Sequence, residues 1–154
     1  MQTNDSLIEV LNDLVKINND RITGYETALD EIKAGDIDLK GLFSKMANDS
    51  KDNVRELSDL ILKSGGEVSH DTTVPGKIYR TWMDVKAAIT GSDRKSILSS
   101  CEYGEDAAQK AYDAALSSDA EIDAESRQTI MSQKTALKES HNMIKKYRDM
   151  HLTA

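Results

Sequence analysis

The chain has 154 residues, with 27 acidic against 20 basic side chains and a formal net charge of −7. That balance argues against a nucleic-acid partner, which needs clustered Lys and Arg, and no basic amphipathic segment points to a membrane surface. One proline, eight glycines and an apolar set drawn mainly from Leu, Ile, Ala and Met favour long uninterrupted helices.

The length suits one domain over residues 1–154. No apolar run approaches the roughly 18–20 residues of a transmembrane helix. Met1 to Glu9 has neither the basic nor the apolar region of a signal peptide. Cys101, the single cysteine, has no intramolecular disulfide partner. These features lead us to expect a cytoplasmic, reducing setting.

The first helix is expected over about 4–34, because Leu7, Leu11, Leu14, Asn18, Ile22, Tyr25, Leu29 and Ile32 recur at three- and four-residue steps. Gly35 supplies a stop, and Asp36 or Asp38 the next cap. A second helix follows over about 38–64, with Leu39, Leu42, Phe43, Met46, Ser50, Asn53, Leu57 and Leu60 facing inward, ended by Gly65-Gly66. After a loop, Pro75 fits the first turn of a short helix at about 76–90. There Trp82 is expected to cover the open side of the bundle, while Arg80 and Asp84 bond locally. Ser92 can cap a helix over about 93–117, whose stripe is Ile97, Leu98, Cys101, Glu105, Ala108, Tyr112 and Ala115. Ser118-x-x-Glu121 reads as a capping box for a last helix over about 121–150, with Ile130, Leu137, His141, Ile144 and Arg148 inward.

Loop lengths set the topology. The first and last helix pairs are joined by a few residues and must be antiparallel hairpins. The second and third are separated by enough chain to travel a bundle's length, so the third starts at the same end as the second. The expected fold is therefore all-α, a four-helix bundle with one long crossover. A weak internal repeat fits two related hairpins. Tyr25-Glu26-Thr27-Ala28-Leu29 follows Asn18 at the spacing at which Tyr112-Asp113-Ala114-Ala115-Leu116 follows Glu105.

Each predicted helix carries polar residues near the midpoint of its buried stripe: Asn18, then Ser50 and Asn53, then Glu105, then His141. An uncompensated polar group in a core costs roughly 2–7 kcal/mol, so a polar layer at one level is expected. Within it, Glu105 is expected to bond Asn18, a tyrosine or His141, and His141 to pair with Glu105 by a charge-assisted bond. Gly24 and Gly104, each costing about 1 kcal/mol inside a helix, are expected to mark a close approach of the first and third helices. Glu102 and Asp106 flank the stripe and are read as solvated. Cys101 is read as an inert core thiol. No phosphate loop, C-x-x-C, H-E-x-x-H or G-x-S-x-G motif is present in the sequence.

The strings Gly76-Lys77-Ile78-Tyr79-Arg80-Thr81-Trp82-Met83-Asp84-Val85-Lys86 and Ile17-Asn18-Asn19-Asp20-Arg21-Ile22-Thr23-Gly24-Tyr25-Glu26 are similar to those of a bacterial family of single-domain four-helix bundles. That family lies in the ferritin-like superfamily. The resemblance implies a ferritin-like bundle with a crossover helix. It also implies a ligand pattern that lays the superfamily's carboxylates and histidines on Asn18, Ser50, Asn53, Glu105, Lys138 and His141. Glu105 and His141 alone keep ligand chemistry, and Lys138 adds positive charge where a carboxylate belongs. The expectation is a non-enzymatic protein with a degenerate metal site and no cofactor. It would act by binding or assembly, including self-association into a homo-oligomer, in a stress-related setting, with its partner protein unspecified. The alternative is a divergent iron- or manganese-binding protein using Glu105 and His141.

Overall fold

Among the described residues, apolar side chains at three- and four-residue steps become four α-helices: α1 (Gln2–Glu31), α2 (Ile37–Lys63), α3 (Arg94–Leu116) and α4 (Ala124–Asp149). The computed structural model describes residues 2–32, 37–69 and 94–150, and among the described residues there is no strand. The expected short helix at 76–90, with Pro75, Arg80, Trp82, Asp84 and Lys86, lies outside the described residues, as do Gly35, His70, Ser92 and His151. Among the described residues no helix is long and apolar enough to cross a membrane.

The end of α2 follows from Gly65-Gly66. Gly65 takes a positive φ of 85°, and its N–H donates to Leu62 O at 3.1 Å while that of Gly66 donates to Ile61 O at 2.9 Å. These two bonds close the helix in a Schellman motif. A Cβ on Gly66 would stand 2.7 Å from Cγ2 of Ile8, so the second glycine lets the turn lie against α1. Asn12 of α1 then holds the outgoing chain: its amide donates to Glu67 O at 2.9 Å and accepts from Ser69 N at 2.8 Å.

The start of α4 differs from the expected capping box. Asp123 is the N-cap, its carboxylate accepting from Ser126 N at 3.1 Å, and the helix begins at Ala124. Ser118 turns back instead, its hydroxyl donating to Ala115 O at 2.8 Å. An Asp at this position accepts from the N3 amide better than a distant Ser-Glu pair could, and its charge suits the helix dipole.

Two apolar clusters fill the bundle. One joins Tyr25 and Ala28 of α1 with Ile32 just past its end, Leu39, Leu42 and Phe43 of α2, Ile97, Leu98 and Cys101 of α3, and Ile144 of α4. The other joins Leu7, Leu11 and Leu14 of α1, Leu57, Leu60 and Ile61 of α2, Ala108, Tyr112 and Ala115 of α3, and Ile130 and Leu137 of α4. Each fully buried Leu or Ile in them contributes about 1.5–3 kcal/mol, so they supply most of the driving force. Their membership also fixes direction. The late part of α1 meets the early parts of α2 and α3 and the late part of α4. Neighbouring helices are thus antiparallel, and α2 runs parallel to α3 across the diagonal. α1 packs on α2 and α3, and α4 on α3 and α2. Gly24 and Gly104 are both buried, on the two helices of the α1–α3 contact.

Candidate functional site

Between the two apolar clusters lies a layer of buried polar side chains from all four helices, centred on Arg21. Arg21 is 1% exposed and Glu105 is fully buried. The guanidinium meets the carboxylate with two bonds, Nε to Oε1 at 2.6 Å and Nη2 to Oε2 at 3.0 Å. This is the fork-on-fork geometry that a planar guanidinium and a carboxylate share. Nη1 donates to Ser50 Oγ at 2.5 Å, Nη2 lies 3.9 Å from the Met46 sulfur, and the guanidinium carbon is 5.6 Å from the Tyr25 ring centroid. A buried cation here is therefore met by an anion, a hydroxyl, a thioether and an aromatic face.

The layer continues from Ser50. Its hydroxyl donates to Asn18 Oδ1 at 3.0 Å, which also accepts from Asn53 Nδ2 at 3.1 Å. Asn18 Nδ2 donates to Leu14 O and to the Tyr112 hydroxyl, both at 2.8 Å. Tyr112 donates to Gln133 Oε1 at 2.6 Å, and Gln133 Nε2 reaches Glu56 Oε1 at 2.9 Å. The repeat seen in the sequence thus meets crosswise: the midpoint Asn of α1 bonds the tyrosine that follows the midpoint Glu of α3.

The electrostatics are one-sided. Burial opposes the charge on Arg21, but Glu105 beside it outweighs that, helped by Tyr25 and Tyr112, and raises its pKa above the ordinary value. Burial pushes Tyr112 and Tyr25 up, the latter also under the influence of Glu105. Burial raises the Cys101 thiol too, again with Glu105 adding to the effect. Arg21 therefore stays charged, and the thiol and both phenols stay protonated. The buried thiol has the inert character expected of it, and none of these groups is poised to attack or to exchange a proton near neutral pH.

The structure brings four of the expected positions together and leaves two apart. Ser50 and Asn53 each bond Asn18 directly, and Glu105 joins them through Arg21. The expected Glu105–His141 pair does not form. His141 is 18% exposed, and its Nε2 sits 2.8 Å from Asp106 Oδ1 and 3.4 Å from Glu102 Oε2. Glu102 is itself bound by Arg148, which also reaches Asp149. Glu102 is thus 15% exposed and paired rather than solvated. Lys138 is exposed. The inward row of α4 is Ser126, Ile130, Gln133, Leu137, Ser140 and Ile144, which turns His141 toward α3. Among the described residues, no group of three or more His, Cys, Asp and Glu side chains is disposed to hold a metal ion.

Two residues central to the layer were passed over in the sequence, Arg21 and Gln133. A signal for Arg21 was available. A carboxylate at the middle of a buried stripe needs a cation at its own level. Arg21 lies three residues after Asn18 and four before Tyr25, on the same side of α1. Gln133 gave no comparable signal, since a Gln at three residues from Ile130 reads as an ordinary flank.

The chain belongs to the family described as Domain of unknown function (DUF2383), which matches residues 6–118. That span takes in α1 from residue 6 onward, α2 and α3, and with them Asn18, Arg21, Ser50, Asn53 and Glu105. No curated protein matches the chain.

Proposed function

We propose that this chain is a ferritin-like bundle in which an internal ion pair has taken the place of a di-metal centre. It acts by binding or self-assembly, with no chemistry at its core, in a bacterial cytoplasm. The carrying observation is the bidentate seat of Arg21 on Glu105. Both oxygens of the carboxylate best placed to bind a metal are engaged by a guanidinium that stays charged. A dication entering there would meet one positive charge and two amides, with no second carboxylate to neutralise it. The crosswise Asn18–Tyr112 bond and the parallel course of α2 and α3 support descent from a two-hairpin ancestor of ferritin-like type.

The reading is tested by metal content. Purified protein, incubated with excess Fe(II), Mn(II) or Zn(II) and then desalted, should carry far less than one metal per chain, and Arg21→Ala should change that more than His141→Ala does. Near-stoichiometric iron or manganese that disappears in Glu105→Gln would refute the proposal and restore the metalloprotein reading. Sedimentation at rising concentration tests self-assembly, and a monomer throughout would remove that part.

A further inference from the structure

α4 carries a second row beside the one that faces the core. The inward row is Ser126, Ile130, Gln133, Leu137, Ser140 and Ile144. On its α2 shoulder, Ala136, Ser140, Met143, Tyr147 and Met150 follow one another at steps of four, three, four and three residues. That is the d and a spacing of a coiled-coil seam. Ala136 is exposed, Met143 and Met150 are 37% and 40% exposed, and Tyr147 is half-buried against the edge of the core. At about 1.5 Å per residue the row is about 21 Å long, close to four turns. Methionines suit such a seam, because the unbranched thioether adapts to the surface it meets.

The charges along the row select what can cover it. In the same heptad Glu139 and Lys146 hold the g positions, on the outer edge of the row, and both are exposed. They lie two turns apart, about 10.5 Å, too far to pair within the helix. Neither has an ion-pair partner among the described residues. The e positions, Leu137 and Ile144, are buried in the core. A parallel helix would set each g residue against an e position that is already covered. An antiparallel copy of α4 sets g against g and brings Glu139 of each copy to Lys146 of the other. With the two-fold axis at Met143, the two methionines meet at the centre, and Met150 of one copy lies over the small Ala136 of the other. Such a contact is self-complementary and closes at two copies. Lys134, which pairs with Asp113 of α3, and Lys138 and Lys145, at further steps of four and seven, stand on the far shoulder and bring no like charge to the seam.

We propose that α4 is the self-association face of this chain. Two copies pack antiparallel along Ala136, Met143, Tyr147 and Met150, and two Glu139–Lys146 pairs close the seam. The inference rests on the self-assembly reading above and names its surface. Four turns of helix per copy bury less than the roughly 1,200 Å² of a standard stable interface, so the dimer is a weak one, with a Kd of about 10–100 μM.

Sedimentation equilibrium of the full chain from about 5 to 500 μM brackets that value. Salt at about 0.15 M screens the net charge of −7 that opposes association. The parent should pass from monomer to dimer. Met143→Glu sets two like charges together on the axis and should stay monomeric throughout. Glu139→Lys or Lys146→Glu alone should weaken the dimer about tenfold, and the double swap should restore it to within about threefold of the parent. Met143→Cys should form a disulfide between copies under mild oxidant, while the buried Cys101 stays reduced. Circular dichroism checks that each variant keeps its helices, and the charge swap decides alone if Met143→Glu does not fold. A parent that stays monomeric over the whole range overturns this proposal and the self-assembly reading together. A parent dimer that persists in Met143→Glu, or single swaps that the double swap does not rescue, overturns the α4 seam and leaves self-assembly standing.

Discussion

Replacing Glu105 by Gln removes the anion from the centre of the bundle while keeping nearly the same shape. Arg21 then stays buried at 1% exposure, still charged, facing a neutral amide. Ser50, Met46 and the Tyr25 ring remain, but none carries negative charge. Breaking one side of a buried pair costs about 3–5 kcal/mol, because the surviving charge loses its counterion in a place water does not reach. At about 2–4 °C per kcal/mol for a chain of this size, the melting point should fall by roughly 6–20 °C. Urea unfolding followed by helical circular dichroism measures this directly. The apolar double variant Arg21→Met/Glu105→Leu should recover to within about 2 kcal/mol of the parent, since it leaves no charge behind. The exposed pair Lys51–Glu26 is the control, and Lys51→Ala should cost less than about 1 kcal/mol. A cost below about 1 kcal/mol for Glu105→Gln, the range of surface pairs, would refute this account of the polar layer.

Tyr112→Phe should cost about 1–3 kcal/mol, because it leaves one Asn18 N–H and the Gln133 carbonyl oxygen without their partner in the core, and equilibrium unfolding would show it. Asp123→Ala should cost about 0.5–2 kcal/mol through loss of the α4 cap. The bond to Ser126 holds the Asp123 carboxyl below its ordinary value of 3.8, so its stabilisation is complete above that pH and is lost as the pH falls through the lowered value. The gap between parent and Asp123→Ala should therefore close in acid, read from urea midpoints. At the alkaline end Cys101, Tyr25 and Tyr112 all keep their protons in the fold beyond their ordinary values of 9.0, 10.0 and 10.0. These three groups should leave stability unchanged below about pH 9 and then lower it by up to about 1.4 kcal/mol per pH unit for each group, as the unfolded chain releases protons that the folded one retains. Tyr112→Phe should reduce that slope, and an unchanged slope would show that its hydroxyl does not contribute.

The sequence by itself determined the four helices among the described residues, the turn at Gly65-Gly66, every buried position named on α3 and the presence of a polar layer. It could do so because these depend on local spacing and on the cost of leaving polar groups unpaired. The tertiary structure alone decided which residue completes each turn of the stripe. At 3.6 residues per turn, positions three and four steps along fall on opposite sides of the helix's inward line, and spacing does not rank them. On α1 the reading took Ile22 and the bundle took Arg21. On α4 it took His141 and the bundle took Ser140. In each case the neighbours made the choice. Glu105, buried on α3, required a cation facing it, and Arg21 supplied one. Asp106 and Glu102, at the edge of the same helix, drew His141 outward to a place where its ring keeps contact with water. The partner of a buried charge lies on another helix, so it becomes legible only when the helices are packed.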